Sequence, residues 1–167
     1  PSSLPRSTLY RVEAIILNHR NLGEADRVLT LYSREHGKLR ASVRAARKIT
    51  SRLGGHVEPL TRASLLLVRG RTLDSVTQAQ TLDAFPALRT DLLSAARGMH
   101  AAALTDRFTE EQEPQTAVYE LLEETLRRLN AGEPGDPALR AFEMRLLETM
   151  GYRPVLDGCA SCGRTVG

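Results

Sequence analysis

Cys159 and Cys162 stand at the two-residue spacing that lets two thiolates reach one tetrahedral zinc ion. Only two of the four ligands of such a site are in this sequence, which runs five residues past Cys162. His100, the nearest upstream histidine, falls in the middle of a helical pattern and reads as an ordinary helix residue. A redox Cys-x-x-Cys would open a helix after a strand. This one follows a helix and a Pro-containing turn, so it reads as a zinc half-site cut from a longer module. Carboxylates cluster at Glu110, Glu111 and Glu113 in a polar break, and at Glu120, Glu123 and Glu124 on a helix. Arg127 and Arg128 follow the second set at the spacing of helix-surface pairs. Both sets read as solvated faces, and Asp26 beside Arg27 is too isolated for a catalytic carboxylate. With no phosphate-cradling glycine loop, His-rich cluster or Ser-x-x-Lys pair, no enzyme is expected.

Binding chemistry is concentrated in one segment. From Arg34 to Arg52 there are seven cations (Arg34, Lys38, Arg40, Arg44, Arg47, Lys48 and Arg52) against one acid, Glu35. Lys38, Arg40 and Arg44 are all even-numbered on a strand, so period-two geometry puts them on one face, opposite Leu39 and Val43. That face runs into the loop holding Arg47 and Lys48. A cationic strand face continued by a cationic loop suits a polyphosphate track better than one small anion, with an affinity that falls as salt rises. The competing account is a solvated face whose charges pair with acids elsewhere. Before Phe85 the only aromatic residues are Tyr10 and Tyr32. Binding should therefore rest on backbone phosphates rather than base stacking, with little sequence preference and tolerance of single and double strands.

The elements that must position these residues change period at Pro86. Before it, Tyr10 to Ile15 alternates and runs into Ile16 and Leu17; Val28 to Tyr32, Leu39 to Val43, Leu65 to Val68 and Leu73 to Ala79 mark four further strands. Five short strands punctuated by Gly23, Gly37, Gly54-Gly55 and Gly70 predict a small closed or nearly closed barrel. The stretch from Arg44 to Pro59 should hold the longest loop. After Pro86, Leu88, Leu92, Ala95, Ala96, Met99, Ala102 and Ala103 recur at helical spacing to about Phe108. A second helix carries Val118 to Leu129. A third should start at Asp136-Pro137, an N-cap acceptor with proline at the first position, and stop at Gly151.

Composition bounds the class. Hydrophobic residues at 41% and charged residues at 26% suit a globular protein. No window approaches a membrane span, and Pro1 to Thr8 lacks the apolar core of a secretory leader and reads as a loose arm. Two cysteines cannot form a secreted disulfide framework, which leaves the cytosol as the default. The net charge of +3 divides unevenly: residues 1–83 carry 14 Lys/Arg against 7 Asp/Glu, and residues 84–167 carry 9 against 13. A basic half joined to an acidic half points to an anionic partner for the first and a different task for the second.

An ordered set of blocks resembles the bacterial recombination mediator RecO family. They are Leu22-Gly23-Glu24-Ala25-Asp26-Arg27-Val28-Leu29, Glu35-His36-Gly37-Lys38-Leu39, Ala46-Arg47-Lys48 with Ser51, and Glu58-Pro59-Leu60. Phe85-Pro86-Ala87-Leu88-Arg89, Phe142-Glu143-Met144-Arg145-Leu146-Leu147, Gly151-Tyr152-Arg153-Pro154 and the cysteine pair continue it. The resemblance implies an α+β, multidomain chain. An N-terminal five-stranded OB-fold would bind nucleic acid (1–83), an all-α domain would follow (84–154), and 155–167 would open a partial, zinc-ribbon-like segment. It implies binding of single- and double-stranded DNA, annealing of complementary strands and pairing with RecR. With RecR, such a protein helps load RecA onto strands coated by single-stranded DNA-binding protein, whose acidic C-terminal tail it recognises, at the nucleoid in the bacterial cytoplasm. For that tail, Arg127, Arg128, Arg140 and Arg145 are the candidates, as cations beside apolar helix residues; ordinary surface ion pairs are the alternative for each. The family usually has glycine before the Ala-Arg-Lys segment, where this chain has Ala45, which bears on the path of the loop. The second cysteine pair and the helices that follow it in the family are missing here. Two other readings compete with the mediator: a non-catalytic adaptor whose basic barrel docks an acidic protein surface, and a nucleic-acid hydrolase, for which no metal-binding carboxylate set is visible.

Overall fold

Alternating apolar residues build the first half of the chain into strands, and a computed structural model describes residues 8–46 and 52–151. The strands are β1 (Leu9–Leu22), β2 (Asp26–Ser33), β3 (Gly37–Val43), β4 (Arg62–Val68) and β5 (Asp74–Asp83). They close into a barrel in the order β1-β2-β3-β5-β4. All neighbours are antiparallel except β3 and β5, which meet in parallel at Ala41/Asp74 and Ser42/Ser75. This is the five-stranded OB-fold barrel followed by helices. Val12, Ala14, Ile16, Leu29, Leu31, Leu39, Ala41, Val43, Ala63, Leu65, Leu67 and Val76 fill its interior.

β1 serves two cores. A register shift between Ile16 and Asn18 interrupts its alternation. Ile16 points into the barrel, while Ile15 and Leu17 point out and join Tyr32, Leu60 and Phe85 in a second cluster with the helices. From the helical side that cluster takes Leu88, Tyr119, Leu122, Leu126, Phe142 and Leu146, all at most 2% exposed. Burying a side chain of this size contributes about 1.5–3 kcal/mol. The helices therefore use the outer face of β1 and β2 as their floor.

Among the described residues four helices follow rather than three: α1 (Ala87–Thr90), α2 (Leu92–Phe108), α3 (Thr116–Asn130) and α4 (Gly135–Thr149). Asp91 is extended (φ −103°, ψ 112°) and cuts α1 from α2. α2 buries Gly98, Ala101, Ala102 and Thr105, while Leu92 is 87% exposed, so the apolar stripe read from sequence is only partly a core stripe. α4 starts at Gly135, one residue before the expected cap, and Asp136 instead pairs with Arg97 at 2.9 Å. Among the described residues no helix is long and apolar enough to cross a membrane.

The α2–α3 connection closes a gap in the barrel wall. β5 reaches β3 only at its far end, and Glu111 bridges to Lys38 beside the near end, where Gln112 N–H donates to Lys38 O at 2.9 Å. Gly37 permits this close approach. Its φ is +70°, and a Cβ there would stand 2.3 Å from Glu113 O.

Candidate nucleic-acid interface

The β3 face is formed as period two requires: Lys38, Arg40 and Ser42 face outward between buried Leu39, Ala41 and Val43, and Arg44 is exposed just past the strand. Their surroundings differ along the strand. At the hairpin end Lys38 is only 11% exposed. Its ammonium donates to the carbonyls of Asp106 (2.8 Å) and Thr109 (2.7 Å) and pairs with the Asp106 carboxylate at 3.2 Å. Arg34, in the β2–β3 turn, pairs with Glu13 (2.7 Å), Glu120 (3.1 Å) and Glu123 (3.5 Å), its guanidinium 4.6 Å from the Tyr119 ring centre. Arg62 of β4 joins the same cluster through Glu13 at 2.6 Å. Burial works to raise the Glu13 pKa, but the Arg34 hydrogen bond and the charges of Arg34 and Arg62 outweigh it, so the carboxyl lies below its ordinary range. The Arg34 pKa is raised in turn, chiefly by its hydrogen bond to Glu13.

The other end of β3 is open. Arg40 is half exposed and pairs with an equally exposed Glu111 at 3.1 Å, a contact worth little in water. Arg44 is exposed and has no ion pair among the described residues. The turn that carries it is anchored from β2: Asp26 Oδ1 accepts the Ala45 N–H at 2.8 Å. Ala45 has φ +54°, a left-handed conformation that glycine adopts at lower cost. Arg27 pairs with Glu58 at 3.0 Å and so ties the β1–β2 turn to the segment before β4. Asp26 and Arg27 thus brace the ends of the basic loop. Arg47 and Lys48 lie outside the described residues.

Arg52 stands apart from β3. It lines a groove with Arg11 and His56 on the outer face of β1, β4 and β5. The five described cations of that segment are therefore divided: Arg34 and Lys38 at a helix-facing end, Arg40 and Arg44 at an open strand end, and Arg52 in a separate groove. Beside the hairpin end, Tyr10, His36, Leu39, Arg69 and Gln112 line a further depression of about 540 Å³, in which the Arg69 guanidinium lies 4.4 Å from the Tyr10 ring centre. Sequence reasoning passed over Arg11, Arg62 and Arg69. The signal available for them was outward placement on β1 and β4 and at the end of β4.

On the helices, Arg127 pairs with Glu123 at 2.9 Å, Arg128 with Glu133 at 2.6 Å, and Arg145 with Glu124 at 3.8 Å. Arg145 shares its depression with Glu120, Glu124 and Glu148. Arg140 is exposed on α4. The structure does not gather the four into one cationic site. Cys159 and Cys162 lie outside the described residues, among which no His/Cys/Asp/Glu cluster could hold a metal ion.

Comparison with known proteins covers both halves. The family model described as Recombination protein O N terminal matches residues 7–85, and Recombination protein O C terminal matches residues 89–167. A protein of Roseiflexus sp. (strain RS-1) named DNA repair protein RecO is 46% identical over 158 residues, 95% of this chain and 56% of that protein. Its namesake in Pelotomaculum thermopropionicum is 43% identical over 154 residues, 92% of this chain and 60% of that protein. Another, from Nocardioides sp., is 42% identical over 159 residues, covering 93% of this chain and 65% of that protein. The chain spans roughly three fifths of the length of these relatives.

Proposed function

Because the chain belongs to the RecO family, we propose that it is the DNA-gripping and partner-binding part of a non-catalytic mediator of DNA repair and recombination. The barrel, residues 1–83, holds the backbone of single- and double-stranded DNA and promotes annealing of complementary strands. The helical region, residues 84–154, presents surfaces to RecR and to the acidic tail of single-stranded DNA-binding protein, in which Arg140 is the least encumbered candidate. With RecR the protein assists loading of RecA in the bacterial cytoplasm. In the segment 155–167, two thiolates at this spacing suit half of a tetrahedral zinc set, so Cys159 and Cys162 would hold a structural ion together with two ligands from outside this sequence.

One observation carries the reading: the acids of the helical half are spent on one end of the β3 face, and the end leading into Arg47 and Lys48 stays open to solvent. DNA contact is accordingly assigned to Arg40, Arg44, Arg47 and Lys48, while Arg34 and Lys38 hold the barrel to the helices. Changing Arg44, Arg47 and Lys48 together to Ala should weaken single-strand binding and flatten its salt dependence by about 0.7 per lost contact. An unchanged salt slope in a folded triple variant sinks the assignment.

A second reading has its own support. Arg34, Lys38 and Arg40 already take carboxylates within the chain, so the open cations would serve an adaptor for an acidic protein surface. Competition separates the two: for a mediator, excess DNA displaces such a partner from the barrel, and for an adaptor it does not.

A further inference from the structure

The groove that holds Arg52 has a lining unlike the rest of the surface. Its volume is about 560 Å³, and no carboxylate lines it. Arg11 comes from β1 and donates to Ser64 Oγ at 3.2 Å. Arg52 and His56 come from the segment before β4, and Gln78 and Gln80 from β5, over a floor of Leu53 and Ala79. Neither Arg11 nor Arg52 forms an ion pair among the described residues. Thr81 fixes the His56 ring: its N–H donates to Nδ1 at 3.2 Å, with its hydroxyl 2.6 Å from the same nitrogen. Nδ1 is therefore an acceptor, and Nε2 carries the proton of the neutral ring and remains a donor.

The register explains the composition. On the outer face, Arg11 sits opposite Leu66, Leu66 opposite Gln78, and Ser64 opposite Gln80, so β1, β4 and β5 present a cation, an apolar residue and amides side by side. Between Asp74 and Asp83, β5 carries no charge at all. Ser75 of β5 adjoins Ser42 of β3, with hydroxyls 3.3 Å apart. The groove and the Arg40–Arg44 end of β3 are thus joined through β5, which pairs with β3 on one side and β4 on the other, with Asp74 at the β3 junction.

We propose that this groove is a second contact site for the same single DNA strand, which crosses the barrel from β3 over β5 to β4 and β1. Arg11 and Arg52 take phosphates there, and Gln78, Gln80 and the His56 Nε2–H meet sugar and base edges, for which amides supply both donors and acceptors. Helices already cover the outer face of β2, where Tyr32 and Thr30 are buried, so the strand is directed to the opposite side of β3. This inference rests on the DNA-binding reading above and adds its path.

The test is the salt dependence of binding to a fluorescent oligothymidylate of about 15 nucleotides, near the upper site size of one such barrel. Arg11→Ala/Arg52→Ala should lower the slope of log K against log salt by about 1.4, two single-strand contacts, as should Arg40→Ala/Arg44→Ala. Arg11→Lys/Arg52→Lys should restore it, and the helical control Arg97→Ala/Arg107→Ala, both on α2, should leave it unchanged. Gln78→Leu should weaken binding roughly two- to tenfold, the scale of one hydrogen bond, with no change in slope. If only the β3 pair moves the slope, the groove is not a contact site and the DNA reading stands. If the helical control lowers the slope equally, general charge explains the loss and the groove is again excluded. If the intact chain does not bind the oligonucleotide, the DNA reading itself fails.

Discussion

Lys38 near the start of β3 and Arg44 just past its end, six residues apart in the chain, meet opposite surroundings. Lys38 is enclosed by two carbonyls and a carboxylate from the end of α2; Arg44 faces solvent beside a turn held by Asp26. Residue type does not distinguish them. What differs is the supply of acids: Asp106, Glu120 and Glu123 reach the hairpin end, Glu111 extends only to the half-exposed Arg40, and among the described residues no carboxylate pairs with Arg44. An excess of cations in a sequence therefore counts two things together, an internal seam and a face open to solvent, and only the position of the acids separates them.

The largest expected effect breaks the seam at its tightest point. Gly37→Ala forces a side chain into a left-handed residue, at about 1–2 kcal/mol, and drives its Cβ against Glu113 O. A total loss of about 3 kcal/mol should lower the thermal midpoint by roughly 6–12 °C in a chain of this size. A loss below about 0.5 kcal/mol, the range of neutral surface changes, would mean that the α2–α3 connection does not rest on the hairpin.

Next comes the contrast itself. Lys38→Met should cost about 1–3 kcal/mol in urea unfolding, because Asp106 and two carbonyls lose a charged donor in a mostly buried site. Arg44→Ala should change stability by less than about 0.5 kcal/mol yet lower the DNA salt slope by about 0.7. Equal stability costs for the two would erase the distinction drawn between the ends of β3.

Acid should weaken the seam selectively. The folded-state pKa of Glu13 is lowered from 4.5, so its contribution is complete well above that value, shrinks as pH falls below it and disappears once pH passes the folded value. Urea midpoints measured between neutral pH and pH 3 should fall less steeply for Glu13→Gln than for the parent chain. Matching pH profiles would remove Glu13 from the seam. The smallest effect belongs to the loop side. Ala45→Gly should be worth about 0.5 kcal/mol in either direction, since relief of the left-handed backbone is offset by the greater freedom of unfolded glycine. Differential scanning calorimetry resolves it, and a loss above about 2 kcal/mol would show that the Ala45 methyl has a packing role.

Much of the architecture was legible. Alternation located the five strands, the period change at Pro86 located the helices, and parity put Lys38 and Arg40 on one face of β3, while Arg44 falls in the turn beyond the strand. Element ends were less legible. Asp91 interrupts a helical pattern without a Gly or Pro signal, and Gly135 rather than Asp136 opens α4, where Asp136 pairs with Arg97. The groove of Arg11, Arg52 and His56 was invisible along the chain, since its lining comes from three strands and a loop as far as 69 positions apart.

Sequence alone determined the period of each element, the inward and outward faces of each strand and the division of charge between halves, because these depend on neighbours within a few residues. Tertiary structure decided which cations are spent. Glu13, Asp106, Glu111, Glu120 and Glu123 come from other strands, helices and connections, and whether a carboxylate stands 3 Å or 15 Å from a guanidinium depends on how the helices dock on β1 and β2. Coulomb attraction between exposed charges is largely screened beyond about 8–10 Å, so the described cations of one sequence segment form a seam, an open face and a groove according to where the barrel closes.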